Sequence, residues 1–263
     1  MDKIRQPAVA GKFYPADTRQ LTLMISEFLS DAGTKGDSPK AIIAPHAGYI
    51  YSGPIAAEAY VRLSECAGSI ERVILLGPAH RMAIRGLAAC SADAFATPLG
   101  NVPVDIEAVQ SILSLPQVQL IDEAHAAEHS LEVHLPFLQI VCPGVSIVPL
   151  LVGTAEESEV VEVLEKLWGG PETLIVISSD LSHYHDYATA HVLDSASAEA
   201  IEQLDPKALR YDSACGRIPI CALLRVARHY GLTARTVDLR NSGDTAGPTN
   251  RVVGYGAFIF DEA

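Results

Sequence analysis

The chain has 263 residues, 49% of them apolar, and a formal net charge of −13. The apolar share supports a sizeable core and excludes a disordered chain, while the acidic balance argues against the basic patches that nucleic acid or acidic lipid requires. No apolar run is long enough to span a membrane, the start Met1-Asp-Lys-Ile-Arg5 lacks the apolar stretch of a signal peptide, and 5 scattered cysteines without a CxxC pair suit a reducing cytoplasm better than a disulfide framework.

Strand-like and helix-like segments alternate from end to end. Asp17 with Gln20 resembles a capping box, and Leu21, Met24, Ile25, Phe28 and Leu29 continue at helical spacing. A polar loop at 33–39 leads into a buried strand, Ala41-Ile-Ile-Ala-Pro-His46. Pro54 then suits the first turn of a helix running to about Leu63. Next come a strand at 72–76, a helix near 105–114, a strand at 146–151, a helix near 158–167 and a strand at 173–178. Helices near 187–203 and 216–229 and a strand at 254–260 complete the series. Several strands are apolar throughout, as strands covered on both faces are. The rhythm predicts a layered α/β fold, and the absence of a linker or repeat predicts one domain over 1–263.

Three of these strands run into chemistry. The first ends at His46, the second at Gly77-Pro-Ala-His80, and the third at Ser178-Ser-Asp180-Leu-Ser-His183. The carboxyl ends of strands in an open α/β sheet form the rim where ligands bind. If the strands are neighbours, His46, His80, Asp180 and His183 converge on one pocket and can build a metal site. Any one such histidine could equally be a loop residue bonded to backbone, and Asp180 could cap the following helix. Together, Asp180 and His183 could supply a carboxylate beside the ligands and a general acid or base. His185 and His191 read as surface residues.

The segment Glu128-His-Ser-Leu-Glu-Val-His-Leu-Pro136 is dense in metal-compatible side chains. On a helix, His129 and Glu132 would share a face, as would Glu128 and Glu132. The alternative is a polar helix start packed through Leu131, Leu135 and Phe137. His129, Glu132 and His134 are read as lining the pocket or backing its ligands. Cys215 precedes an apolar helix, whose N-terminus would favour a thiolate, so it is a candidate soft ligand or redox centre. It could also be a small buried apolar residue, as expected of Cys66, Cys90, Cys142 and Cys221. Phe13, Tyr14, Tyr49 and Tyr51 could wall the pocket or simply pack. A Walker A loop, a complete dinucleotide fingerprint around Gly254-Tyr-Gly256 and a GxSxG elbow are missing.

Ala44-Pro-His-Ala-Gly-Tyr49, Gly77-Pro-Ala-His80, the 128–136 segment, Ser178-Ser-Asp180 with His183, and Cys215-Gly-Arg217 follow the order seen in Memo proteins, whose prokaryotic members are named AmmeMemoRadiSam system protein B. The resemblance extends from about Pro7 to Phe260. It implies a three-layer αβα domain with a mostly parallel or mixed sheet, similar to the catalytic subunit of class III extradiol dioxygenases of the protocatechuate 4,5-dioxygenase type. Those enzymes hold Fe(II) with two histidines and a glutamate. By motif, His46 and His80 match the histidine ligands, His183 the acid–base histidine and Cys215 the third ligand, with Asp180 as a further pocket carboxylate. A thiolate in place of the carboxylate softens the site toward Cu(I) or Zn. The resemblance thus implies a non-heme redox site with Fe(II) expected and Cu or Zn as alternatives. It also implies a protein or peptide partner, including a radical-SAM-associated system. A peptide-binding module without catalysis and a metal-dependent hydrolase are the competing readings.

Overall fold

The computed structural model describes residues 3–33, 39–66 and 68–262, so most of the loop expected at 33–39 lies outside the described residues. In chain order the elements begin with β1 (Ile4–Arg5), α1 (Thr18–Asp31), β2 (Ala41–Ala44), α2 (Tyr49–Tyr60) and β3 (Arg72–Pro78). They continue with β4 (Leu87–Ala89), β5 (Ala94–Thr97), β6 (Gly100–Pro103), α3 (Ile106–Ile112), β7 (Val118–Leu120), α4 (Asp122–Ala126) and α5 (Leu135–Val141). The remainder is β8 (Ser146–Val152), α6 (Glu157–Leu167), β9 (Thr173–Ser178), β10 (His183–His185), α7 (Tyr187–Glu202), α8 (Arg217–Tyr230), β11 (Leu232–Asn241) and β12 (Val252–Glu262).

Local chemistry explains the main boundaries. Asp17 caps α1 by accepting from the Gln20 N–H at 2.9 Å, and α1 buries Leu21 and Ile25. α2 starts at Tyr49, five residues before the expected start, with Gly48 as its N-cap, so Pro54 lies in its second turn. Pro54 deprives the Ile50 carbonyl of its helical donor, and Ile50 stands on the exposed side. α8 ends at Gly231, whose φ of 72° is the left-handed conformation of a helix stop.

Nine strands among the described residues form the main sheet, in the order β10-β12-β2-β9-β3-β8-β4-β7, with β11 paired to β12. Its centre is parallel: β2 with β9, β9 with β3, and β3 with β8. β12 joins antiparallel to β2, and β4 antiparallel to β8. Every residue of β2 and β9 is buried, which accounts for their unbroken apolar runs. Pro149 is tolerated within β8 because β4 pairs only with Leu150–Val152, so the ladder on that side has already stopped. Helices α1, α2 and α5 pack together, as do α6, α8 and α3, and the sheet between helix layers makes the fold a three-layer αβα architecture with a mixed sheet. A smaller sheet, β1-β5-β6, sits beside it. No helix among the described residues is long and apolar enough to cross a membrane.

Candidate metal centre

The adjacency of β2, β9 and β3 brings their carboxyl ends level. Ala44 pairs with Ser178, and Leu76 with Ile177. The residues just beyond those pairs therefore meet. The His46 N–H donates to Asp180 Oδ1 at 2.8 Å, so Asp180 braces a strand end rather than capping a helix. Cys215 arrives from the far side, on the loop before α8. Its N–H donates to the Asp180 carbonyl at 3.2 Å, and the Asp180 N–H donates back to Sγ at 3.3 Å. Gly216 makes this approach possible: a Cβ there would stand 2.7 Å from both the Ser178 carbonyl oxygen and Ser179 Cβ.

His46 is buried. Its Nδ1 lies 2.6 Å from Ser178 Oγ and its Nε2 3.4 Å from Cys215 Sγ. Burial, then the neighbouring His80 and His129, push its pKa well below the ordinary imidazole value. His80 is more open to solvent, with Nδ1 3.0 Å from Glu128 Oε1. The nitrogen and sulfur donors available from His46, His80 and Cys215 lie within 4.8 Å of one another. The dipole-assisted thiolate expected at Cys215 is not what the surroundings favour. α8 begins two residues later, and burial followed by the Asp180 charge pushes the thiol up to about 12. N–H groups of Asp180 and Gly216 and the Ser179 hydroxyl oppose that rise. Burial also raises the Asp180 carboxyl.

Glu128 has a larger part than its sequence position suggests. Its Oε2 accepts the N–H groups of His80 at 2.5 Å and Arg81 at 3.2 Å. Its Oε1 accepts those of His129 at 2.9 Å and Ser130 at 3.0 Å. Burial works to raise its pKa, but these bonds and the His80 side chain hold it well below the usual carboxylate range. The segment carrying it is not the helix face expected. Residues 128–130 are irregular, a 3₁₀ turn spans Glu132–His134, and α5 starts only at Leu135. Pro136 has no N–H to give to the Glu132 carbonyl, and the Glu128 carboxylate already holds the free N–H groups of His129 and Ser130.

A cavity of about 980 Å³ opens over these strand ends. Phe13, Tyr49, Tyr51, His129, Asp180 and His183 line it together with the three donors. The His129 ring stacks on His80 with centroids 5.1 Å apart and stands edge-on to His46 and Phe13. His183 opens β10, opposite Val253. Tyr14 and Tyr255 add further aromatic surface. Glu132 and His134, expected either to line the pocket or to back its ligands, are not among the residues that line it. Glu132 is wholly buried behind the wall, where it accepts from the Arg5 guanidinium, the Ala8 and Val9 N–H groups and the Tyr14 hydroxyl. His134 is buried with its Nδ1 2.9 Å from the Tyr60 hydroxyl, and burial brings its pKa down to about 3. Sequence reasoning misses Glu128 and Ser178 as partners of the histidines. The only signals are their places in dense polar motifs, because each partner lies far away along the chain.

A layered αβα protein with two histidines and a cysteine gathered at the carboxyl ends of its central strands is the class these features define. The family model of Memo-like proteins matches residues 5–259, and the chain belongs to that family. A MEMO1 family protein of Aquifex aeolicus (strain VF5) is 39% identical, over 98% of this chain and 99% of its own length. One from Ignicoccus hospitalis is 36% identical, over 98% of both chains. A crystal structure of an uncharacterized Escherichia coli K12 protein matches with a TM-score of 0.55 at 13% identity, covering 83% of this chain and 98% of that one. This last likeness is one of fold.

Proposed function

We propose that the protein is a non-heme metal protein whose redox site is held by His46, His80 and Cys215. Iron(II) is the first candidate and copper the second. The observation that carries the reading is the convergence of two imidazoles and one thiol, donors within 4.8 Å of one another, at the floor of a large cleft. The donor set fits such a metal: imidazole and thiolate suit iron, copper and zinc, and the half-buried Cys215 sulfur already accepts an N–H from Asp180, as a thiolate ligand would. Lewis acidity and one-electron chemistry are what a metal supplies there. The chain's own residues do the rest. His183 stands on the cavity wall as the group that moves a proton, Asp180 fixes the His46 backbone, and the aromatic residues exclude water around an apolar or ring-bearing substrate.

A second reading, a peptide or protein occupant of the same cleft, is favoured by Ile50 and Tyr184, which line it while standing 56% and 63% exposed. In that case the family's radical-SAM-associated system is the natural source of a partner.

The test is the metal content and the Fe(II), Cu(I) and Zn(II) affinities of anaerobically purified protein beside His46→Ala, His80→Ala and Cys215→Ala. Stoichiometric binding lost in each variant is the expected result, followed by metal-dependent oxygen uptake in a substrate screen. Absence of binding, or binding indifferent to all three substitutions, would sink the metal reading and leave the occupant reading in place.

A further inference from the structure

We propose that the turn Glu128-His129-Ser130 is a single clamp that fixes the tautomer and orientation of both His46 and His80, so that each ring offers its Nε2 lone pair to the floor of the cleft. The inference rests on the metal reading for its purpose but not for its geometry.

The number of hydrogens available decides each tautomer. The Ser178 hydroxyl has one hydrogen to give. Its Oγ lies 2.6 Å from the Ser130 carbonyl oxygen, which can only accept, so the hydrogen is committed there. His46 Nδ1, 2.6 Å from the same Oγ, must then be the donor and carry the ring proton. That leaves the His46 Nε2 lone pair facing Cys215 Sγ at 3.4 Å. On the other histidine, the Glu128 carboxylate accepts at 3.0 Å from Nδ1, which again carries the proton, and Nε2 is left free. A carboxylate or carbonyl behind a ligating imidazole is the usual way to set its tautomer and basicity. Here one three-residue turn supplies the carboxylate to one ring and, through Ser178, the carbonyl to the other.

The turn itself is fixed. Four backbone N–H groups surround the Glu128 carboxylate, and Ser130 Oγ donates to the Pro78 carbonyl at 2.9 Å at the end of β3. Gly77 provides the room. A Cβ at that position would stand 2.8 Å from Leu131 Cδ2 and 3.1 Å from both Ser130 Oγ and Ser178 Cβ. The two halves of the clamp are unequal: His80 is backed by a charged carboxylate, His46 by a neutral hydroxyl. Charged acceptors bind more strongly than neutral ones, so the Glu128 half is the larger contributor.

The test is long-range ¹H–¹⁵N correlation of histidine side chains in the metal-free protein labelled at histidine. It reads tautomers directly and needs no metal. In the wild type both His46 and His80 are expected as Nδ1–H, the opposite of the form that predominates for a neutral histidine side chain in water. Ser178→Ala is expected to release His46 alone, whereas Glu128→Ala is expected to release His80 and, by freeing the Ser130 N–H, to loosen His46 as well. Either ring found as Nε2–H in the wild type overturns the proposal, as does a wild-type tautomer pattern in both variants. Should Glu128→Ala fail to fold, the wild type and Ser178→Ala decide the matter. Zn(II) affinity measured alongside is expected to fall about 10- to 100-fold in Glu128→Ala and less in Ser178→Ala. Correct tautomers in a wild type that binds no metal would uphold the clamp and sink the metal reading, so the two failures are distinguishable.

Discussion

The two ends of the central parallel strands carry cavities of nearly the same size and quite different character. At the carboxyl ends of β2, β9 and β3 the cavity is about 980 Å³, with His46, His80, His129, His183 and Cys215 in its lining. At the amino ends of the same strands a second cavity of about 1090 Å³ lies among Lys40, Ile70, Trp168, Thr173 and Tyr230. There the one cation that lines the cavity among the described residues is fully used. Lys40 Nζ donates to the carbonyls of Trp168, Gly170 and Thr173, each at 2.7 Å, and lies over the Trp168 indole, itself stacked on Tyr230. Volume therefore does not separate a candidate site from a structural hollow. What separates them is whether polar atoms converge with valences to spare. The carboxyl-end cavity keeps imidazole nitrogens and a sulfur directed at one another, whereas the lysine of the amino-end cavity is tied into backbone carbonyls and Asp261 on its rim pairs with Arg235.

The same contrast divides the histidines and gives the largest expected effect. His125 and His134 are buried outside the cleft, and burial brings them down to about 4 and about 3. In the unfolded chain both titrate near 6.5. Below that value the unfolded state takes up protons that the native state refuses, so stability is lost as pH falls from 6.5 toward the folded values. His46 and His129, also lowered, add the same sign, while Asp180 and Asp194, raised by burial, act in the opposite sense. Together His125 and His134 are expected to remove about 5 kcal/mol between pH 7 and pH 4.5, since each tenfold difference in proton affinity between the two states is worth about 1.4 kcal/mol. Urea melts across that range check it. A flat profile would mean that these rings find water or charge partners in the fold.

Next in size is the support behind the cleft wall. Glu132 joins the Arg5 guanidinium, Tyr14 and two backbone N–H groups of the 8–9 segment, and both members of the ion pair are almost wholly buried. Removing one partner of such a pair strands the other, at a cost of about 3–5 kcal/mol. Glu132→Ala should therefore lower the melting temperature by roughly 10 °C. It should also loosen the Phe13–Tyr14 wall while leaving metal affinity near the wild-type value, since the donors stand on strand ends and on the loop before α8. A loss of metal affinity comparable to that of His80→Ala would place Glu132 in the site rather than behind it.

How far the sequence announces this arrangement depends on the reach of each interaction. The strand at 173–178 is legible to the residue because its run is apolar and bounded by polar positions, and it matches β9. The strand-end residues His46, His80 and Asp180 are legible as candidates for the same reason: a buried strand must end, and the residues just past its end face the rim. The 128–136 segment is misleading because helical spacing assumes a helix. Pro136 and the Glu128 carboxylate together postpone it to Leu135, so Glu128, His129 and Glu132 do not share a helix face. The order of the strands, which alone makes the carboxyl ends neighbours, has no local signature. Neither has the pairing of Glu128 with His80, 48 positions apart.

The smallest of these effects tests the amino-end cavity. Burial lowers the Lys40 pKa to about 8, so at neutral pH the side chain keeps its charge, and three carbonyl acceptors hold it. One of them, Trp168, is the C-cap of α6, where a cation also meets the negative end of the helix dipole. Lys40→Met keeps most of the stem's volume and removes all three bonds. Its expected cost is about 2–3 kcal/mol, less than the roughly 4.5–9 kcal/mol that three charge-assisted bonds could sum to, because the carbonyls that face the cavity recover some hydration. Fe(II) and Zn(II) affinities should not change, since Lys40 precedes β2 by one residue whereas His46 follows it by two, with the whole strand between them. Equilibrium unfolding and metal titration on the same preparation decide the point. A variant of undiminished stability with altered metal binding would mean that the two ends are coupled through β2, and that the amino-end cavity is more than a hollow beneath the site.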